Sequence, residues 1–309
     1  MMNKRFRKIV IAGGSGYIGK VLTNYFQDQT EEIIVLSRRK SVTMENVRTV
    51  QWDVKHQGEW VKELENADAL LNLTGKSVNC RYHDKNKREI LESRVDATNI
   101  LGGAISHLKN PPKVWIQYAS ATIYKHAEDS PMDEYSGEIG EGFSVNVCKK
   151  WEGAFWNQHV PGTRKVLLRV AIVFGKVDGV FVRLENLVRF GFGGKHGNGN
   201  QMVSWVHDED LSRITDWILK HEQIEGTFNA ASPDPVQNWE LMKAIRSSQK
   251  VVFGLNAPTW LLRIGAWIIG TETELILKSR WVIPKKLEEL GFTFKFKTIK
   301  EAIHEITKK

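Results

Sequence analysis

The residues best placed to do chemistry begin with Gly13-Gly14-Ser15-Gly16-Tyr17-Ile18-Gly19. This stretch follows the apolar run Ile9-Val10-Ile11-Ala12 and opens a helical pattern, Val21-Leu22 to Tyr25-Phe26. A glycine turn between strand and helix lets a pyrophosphate approach the backbone. The helix N-terminus then offers free N–H groups and its positive dipole end. Gly14, Gly16 and Gly19 fit G-x-G-x-x-G, while Gly13, Gly16 and Gly19 fit G-x-x-G-x-x-G. Position directly after a strand is the context that gives such a match meaning.

Ser37-Arg38-Arg39-Lys40 ends the next apolar run, Glu32-Ile33-Ile34-Val35-Leu36. An NAD site places a carboxylate about 20 residues beyond the glycine loop, on the ribose 2′-hydroxyl. Two arginines stand there instead, and a guanidinium can hold a 2′-phosphate by charge-assisted hydrogen bonds. NADP(H) is therefore expected in preference to NAD(H), the alternative being a basic surface cluster. Asp53 either faces the adenine amino group or caps the next helix. Leu73, Thr74 and Gly75 let the backbone run beside a cofactor, with Lys76 next in the chain toward a substrate pocket. Ser120 ends another apolar run and points into the crevice where ligands bind in parallel sheets, or else caps the strand end. Tyr124 is a candidate acid four residues beyond it on that rim, with Tyr135 close in sequence; a packing or substrate-contact role is as open for each as catalysis. His207 reads as a structural residue before the acidic first turn Asp208-Glu209-Asp210.

The elements that position these residues alternate. Strands are expected over Val47 to Trp52, Ala67 to Leu73, Lys113 to Ala119 and Lys165 to Gly175, after the first two. The polar segment Asp84 to Arg94 leads into a helix through Val95, Ile100 and Leu101. Phe143 to Trp156 is helical, with Val147, Trp151 and Phe155 on one face. This alternation predicts an α/β doubly wound parallel sheet. After Gly175 a helix from Gly179 to Phe190 leads into the glycine-rich loop 191–201. That loop is expected to be mobile and to order over a cleft, with Gln201 and Trp205 lining the pocket and Lys195 or His196 near an anionic group. Gly226 to Ala231 reads as a short strand, and the chain is mainly helical from Asn238. The division expected is a nucleotide-binding domain over 1–175, its sheet and helices completed by 206–231, and a substrate-binding region with the C-terminal domain over 176–309.

The chain has 309 residues, net charge +8 and two cysteines, Cys80 and Cys148, outside any C-x-x-C pair. A reducing cytoplasm is the default for such cysteine usage. The basic residues are scattered, so no nucleic-acid partner is expected. The apolar run Trp260 to Gly270 is short and carries Arg263. It calls for no membrane span, and apolar packing in the substrate domain is preferred over a membrane-surface role for Trp260 to Ile269. No metal site is called for, and a homodimer is left open.

Taken together the motifs resemble the extended short-chain dehydrogenase/reductase superfamily, in the NAD(P)-dependent epimerase/dehydratase-like branch with its own C-terminal domain. The resemblance rests on Gly13 to Gly19, Asn72-Leu73-Thr74-Gly75, Ser93-Arg94-Val95, Ser120 to Tyr124, Cys148-Lys149-Lys150-Trp151-Glu152, Gly199 to His207, Asn229 to Pro233 and Pro284 to Phe294. It implies a Rossmann-type domain, a smaller, mainly helical C-terminal substrate domain, and a nucleotide cofactor in the cleft. Members that catalyse carry Tyr-x-x-x-Lys, the lysine lowering the tyrosine pKa. Counting back eight and four residues from Glu152 gives Ser144 and Cys148 here, so that dyad is missing. Two functions remain. One is an NADP(H)-dependent epimerase, dehydratase or reductase of an unidentified small molecule, using Ser120 and Tyr124. The other is a non-catalytic NADP(H) sensor.

Overall fold

The computed structural model describes residues 4–39, 45–268, 270 and 272–308. Lys40, which continues the arginine pair, and Ile269 lie outside the described residues. In chain order the first elements are β1 (Phe6–Ala12), α1 (Tyr17–Phe26), β2 (Thr30–Ser37), β3 (Val47–Gln51), β4 (Ala69–Asn72), α2 (Asp84–Ile105), β5 (Val114–Ser120), α3 (Phe143–Trp156) and β6 (Arg164–Val170). There follow β7 (Ile172–Phe174), α4 (Val180–Arg189), β8 (Met202–Val203), β9 (Trp205–His207), α5 (Asp208–Lys220), β10 (Gly226–Ala230), β11 (Val236–Gln237) and α6 (Asn238–Ser248). The chain closes with α7 (Thr259–Ile268), α8 (Glu274–Leu277), α9 (Lys285–Glu289) and α10 (Ile299–Thr307).

Seven strands form one parallel sheet in the order β10-β6-β5-β4-β1-β2-β3. Each side of it is covered, which is why the strands read as continuous apolar runs. Ile9 and Ile11 of β1 join Leu22 and Phe26 of α1 and Leu211, Ile214 and Ile218 of α5 in one core. Val10 and Ala12 point the other way, to Leu101 and Ile105 of α2 and Trp151 and Phe155 of α3. The expected Rossmann-type doubly wound sheet is present. The order reverses at β1, with β2 on one side and β4 on the other, and this opens a crevice at the carboxyl ends of the strands.

Two boundaries differ from expectation. Helix α2 starts at Asp84 rather than near Val95. The His83 side chain accepts from the Asn86 N–H at 3.4 Å, and Asp84 complements the helix dipole. The sixth strand breaks at Ala171, whose N–H bonds to Ala230 O, while the next N–H bonds to Ser204 O. The chain thereby leaves the main sheet, and β7 pairs with β9 instead. That exit feeds a second core in which Phe174, Phe181 and Trp205 meet Leu241, Ile245, Ile303 and Ile306.

The smaller helical C-terminal region is built on this core. Helix α7 overturns one expectation. Trp260, Ile264 and Trp267 are 64%, 48% and 71% exposed, so packing does not account for the apolar run. Among the described residues no helix is long and apolar enough to cross a membrane.

Candidate functional site: a nucleotide crevice without the usual dyad

Three glycines of the turn do different work. Gly13 has φ +76°, and a Cβ there would lie 3.0 Å from the Thr74 backbone. At Gly19 a Cβ would meet Gly14 O at 2.3 Å, so that glycine lets the helix lie against its own turn. At Gly16 the nearest heavy atom is Gly13 O at 3.7 Å, which leaves open space outward. Gly14 is buried against Ile11 and Val35. Helix α1 starts with no side-chain cap and no acid in its first turn. Its first N–H groups therefore lack a side-chain acceptor, the condition under which a helix end takes an anion. The turn fits a dinucleotide pyrophosphate.

Around it, Ile18 packs on the core, and the Tyr17 hydroxyl donates to Asp208 Oδ2 at 2.7 Å. Burial, then the Asp208 bond, raises the Tyr17 pKa. This phenol ties the turn to α5. At the end of β2 the buried Ser37 hydroxyl donates to Ser15 Oγ at 3.2 Å and accepts from the Arg39 N–H at 3.3 Å. Arg38 and Arg39 are exposed, and neither guanidinium has a partner among the described residues. Asp53 is exposed. It accepts from the Lys55 and His56 N–H groups and from His56 Nδ1, capping a turn, and these bonds, His56 foremost, hold its carboxyl below the usual range.

Beyond β4, Leu73 N–H bonds to Ala12 O, and Thr74 N–H bonds to Asn72 Oδ1 at 3.1 Å. The Thr74 hydroxyl is buried without a partner among the described residues. A Cβ on Gly75 would strike the Arg94 guanidinium at 2.9 Å. Lys76 is not free for a ligand, because its ammonium binds Asn86 Oδ1 at 2.7 Å and pairs with Glu89.

The strand-five crevice separates the two hydroxyls expected there. Ser120 is partly exposed. Its Oγ accepts from the Thr122 N–H at 3.2 Å, and no acceptor for its own proton is found among the described residues. Tyr124 is 1% exposed, donates to Asn229 Oδ1 at 2.9 Å and accepts from Arg169 at 2.9 Å. With its hydroxyl engaged on both sides, the buried Tyr124 fits the packing alternative better than the catalytic one. Tyr135 is at the surface, donating to Glu289.

The pocket expected around loop 191–201 is also corrected. Trp205 is fully buried, stacked on Phe174 and bonded to Asp234 O at 2.8 Å. Gln201 is buried and donates to His196 O at 3.1 Å. His196 is buried too, and desolvation lowers its pKa to about 4, so it is neutral and cannot meet an anion as a cation. The glycines serve close backbone packing. Gly194 N–H bonds to Leu255 O, Gly197 N–H to Ala257 O, and Ala257 N–H to Lys195 O. A Cβ on Gly194 would lie 2.5 Å from the Leu255 backbone. His207 has the structural role read from the sequence, and performs it by capping α5 through Nδ1, which accepts from the Glu209 N–H.

At the dyad positions, Ser144 Oγ donates to Glu274 Oε2 at 3.2 Å. Cys148 is buried. Burial, followed by the Glu152 charge, pushes its thiol up to about 12. Sequence reasoning missed four residues gathered here: Tyr82, Glu274, Lys278 and Arg280. The Tyr82 hydroxyl lies beside that of Ser144, and burial raises its pKa, so it holds its proton at neutral pH. The available signal was Lys278-Ser279-Arg280, a period-two pattern more suited to extended chain than to helix.

Comparison with known proteins agrees with this geometry. A profile described as the NAD dependent epimerase/dehydratase family matches residues 9–231. The chain belongs to that family. A second profile, a domain of unknown function (DUF1731), matches residues 257–306. Epimerase family protein YfhF of Bacillus subtilis is 29% identical over 96% of this chain and 97% of its own length. A crystal structure of human epimerase family protein SDR39U1 with NADPH superposes with TM-score 0.85 at 26% identity, covering 97% of this chain and 99% of that one. A nucleoside-diphosphate sugar epimerase from Corynebacterium glutamicum gives TM-score 0.77 at 28% identity, covering 97% of this chain and 58% of that one. Family membership accounts for the crevice and the glycine turn.

Proposed function

We propose that this protein is an NADP(H)-dependent enzyme of the epimerase or reductase kind, acting on a small molecule without the usual dyad. The observation that carries the reading is the end of β2, where Arg38 and Arg39 stand exposed, with no partner for either guanidinium among the described residues, beside a glycine turn shaped for a pyrophosphate. The NADPH in the human relative's structure supports it. Bound NADPH supplies hydride chemistry at a carbonyl carbon. Gly13 to Gly19 hold the pyrophosphate, and the arginines hold the 2′-phosphate. Ser120, with an uncommitted hydroxyl proton at the crevice, donates to a substrate carbonyl oxygen.

Calorimetric titration of NADPH and NADH tests the cofactor assignment. Losing a charge-assisted contact to the 2′-phosphate costs about 1.5–3 kcal/mol, so NADPH should bind at least roughly tenfold tighter, and Arg38→Ala should narrow the gap. Equal affinities, or an unaffected Arg38→Ala protein, overturn the assignment. Turnover is tested on a panel of carbonyl compounds and sugar nucleotides. Ordinary nucleotide sugars should give near-background rates, because general acid–base help worth about 10²–10⁴-fold is displaced. Any turnover found should fall in Ser120→Ala.

A further inference from the structure

The C-terminal segment carries two cations to the positions where the dyad is missing. Arg280 is 8% exposed, and its Nε has no partner among the described residues. Its electrostatic neighbours are Glu274, Cys148 and Tyr82. Lys278 donates to Thr122 O at 3.2 Å and has Arg280, Glu274 and Cys148 as neighbours. The backbone at Lys278 is extended, so residues 278 and 280 project to one face and Ser279 to the other. Ser279 confirms the alternation, its hydroxyl donating to Ala127 O and accepting from the Met202 N–H.

This segment is held from two sides. Arg280 N–H bonds to Met202 O, Ser204 Oγ to Arg280 O, and Met132 N–H to Trp281 O. The two cations thus stand on a fixed platform. Arg94 adds a third, bonded to the carbonyls of Lys76 and Ile90 and lying over the Trp151 ring, with no carboxylate partner among the described residues. Against them stands Glu274, already accepting from Ser144. Glu152 is taken by Arg169, and Glu272 by Arg81. The buried Arg280 Nε, left without an acceptor among the described residues, is costly, and an anionic ligand removes that cost.

We infer that Lys278 and Arg280 form an anion subsite of the substrate pocket, taking the carboxylate or phosphate of a small molecule. The inference rests on the cofactor-dependent reading above, and it narrows the substrate to an anionic one. A guanidinium fork matches either oxyanion with paired hydrogen bonds. The subsite adjoins Ser120, since Lys278 bonds to the carbonyl of Thr122 and the N–H of Thr122 bonds to Ser120 Oγ. An anion held here leaves an adjacent carbonyl within the same turn as that hydroxyl.

The test is calorimetry of the full chain with inorganic phosphate and with malonate, each with and without saturating NADPH. Wild type should bind at least one probe at millimolar concentration, equally well with NADPH present. Phosphate alone points to a phosphorylated substrate and malonate alone to a carboxylic acid; either supports the subsite. Arg280→Gln should weaken binding about tenfold or more, as expected for one lost charge-assisted contact. If that buried substitution prevents folding, the less buried Lys278→Met decides, with an expected loss of several-fold. No binding by wild type, unchanged affinity in the folded variants, or competition between the probe and NADPH overturns the inference. Failure of NADPH to bind would instead strike the cofactor reading, and is seen separately in the same titrations.

Discussion

Cys148 lies four residues before Glu152 on α3, and its surroundings decide what it can do. Lys149 and Lys150 adjoin it in sequence, but neighbours at i,i+1 on a helix do not face each other. Burial, and then the Glu152 charge, pushes the thiol up to about 12, while Arg94, Lys278 and Arg280 pull the other way. At neutral pH it is a thiol and not a thiolate, so it is no nucleophile. Iodoacetamide at neutral pH should label the partly exposed Cys80 and spare Cys148 in the native protein, read by mass spectrometry of peptides. Labelling of Cys148 should rise with pH as the thiolate forms. Cys148→Ala should keep NADPH affinity and any turnover; abolition of turnover by this change alone would show the role to be misassigned.

At the scale of the element, the strand–turn–helix unit separates binding from folding. A Cβ at position 16 has open space, with Gly13 O 3.7 Å away, whereas at position 19 it would overlap the Gly14 backbone. Gly16→Ala should therefore fold with a near-normal melting temperature and bind NADPH roughly tenfold or more weakly, because the methyl group stands where the pyrophosphate approaches. Gly19→Ala should lose about 1–3 kcal/mol of stability, since backbone and not a flexible side chain must yield. Thermal melts paired with titrations check both. A Gly16→Ala protein that binds NADPH normally would place the phosphates elsewhere.

Across the whole molecule, one buried polar network joins the sheet to the C-terminal region. Glu152 of α3 takes Arg169 of β6 through two bonds of 2.9 and 2.8 Å. Arg169 bonds the Tyr124 hydroxyl, Tyr124 bonds Asn229 of β10, and Asn229 donates to Ile283 O at 3.0 Å. Removing one partner of such a pair leaves a buried charge uncompensated, at a cost of about 3–5 kcal/mol. Glu152→Gln should fall in that range by chemical denaturation. The double variant Glu152→Gln/Arg169→Met should be less destabilised than the sum of the two single variants. Additivity within error would mean that the pair does not act as a unit.

The sequence by itself determined the sheet and the nucleotide turn. Strands covered on both faces must be apolar along their length, and Gly13 and Gly19 answer to steric demands within a few residues of themselves or of a neighbouring strand end. The helix over Phe143–Trp156 was legible for the same local reason, its buried residues recurring at helical spacing. What only the tertiary structure decided depends on partners far along the chain. Tyr124 and Ser120 are equivalent as hydroxyls near a strand end. Arg169 and Asn229, 45 and 105 positions beyond Tyr124, bury the first and leave the second at the crevice. The departure of β7 from the sheet depends on Ser204 O and Ala230 O. Lys278 and Arg280 reach the dyad positions because Ser279 is clamped by Ala127 and Met202, 152 and 77 positions away. Periodicity reports which face of an element is apolar. It carries no information about which distant backbone group will fasten that element, and the segment that carries Lys278 and Arg280 is held by such contacts.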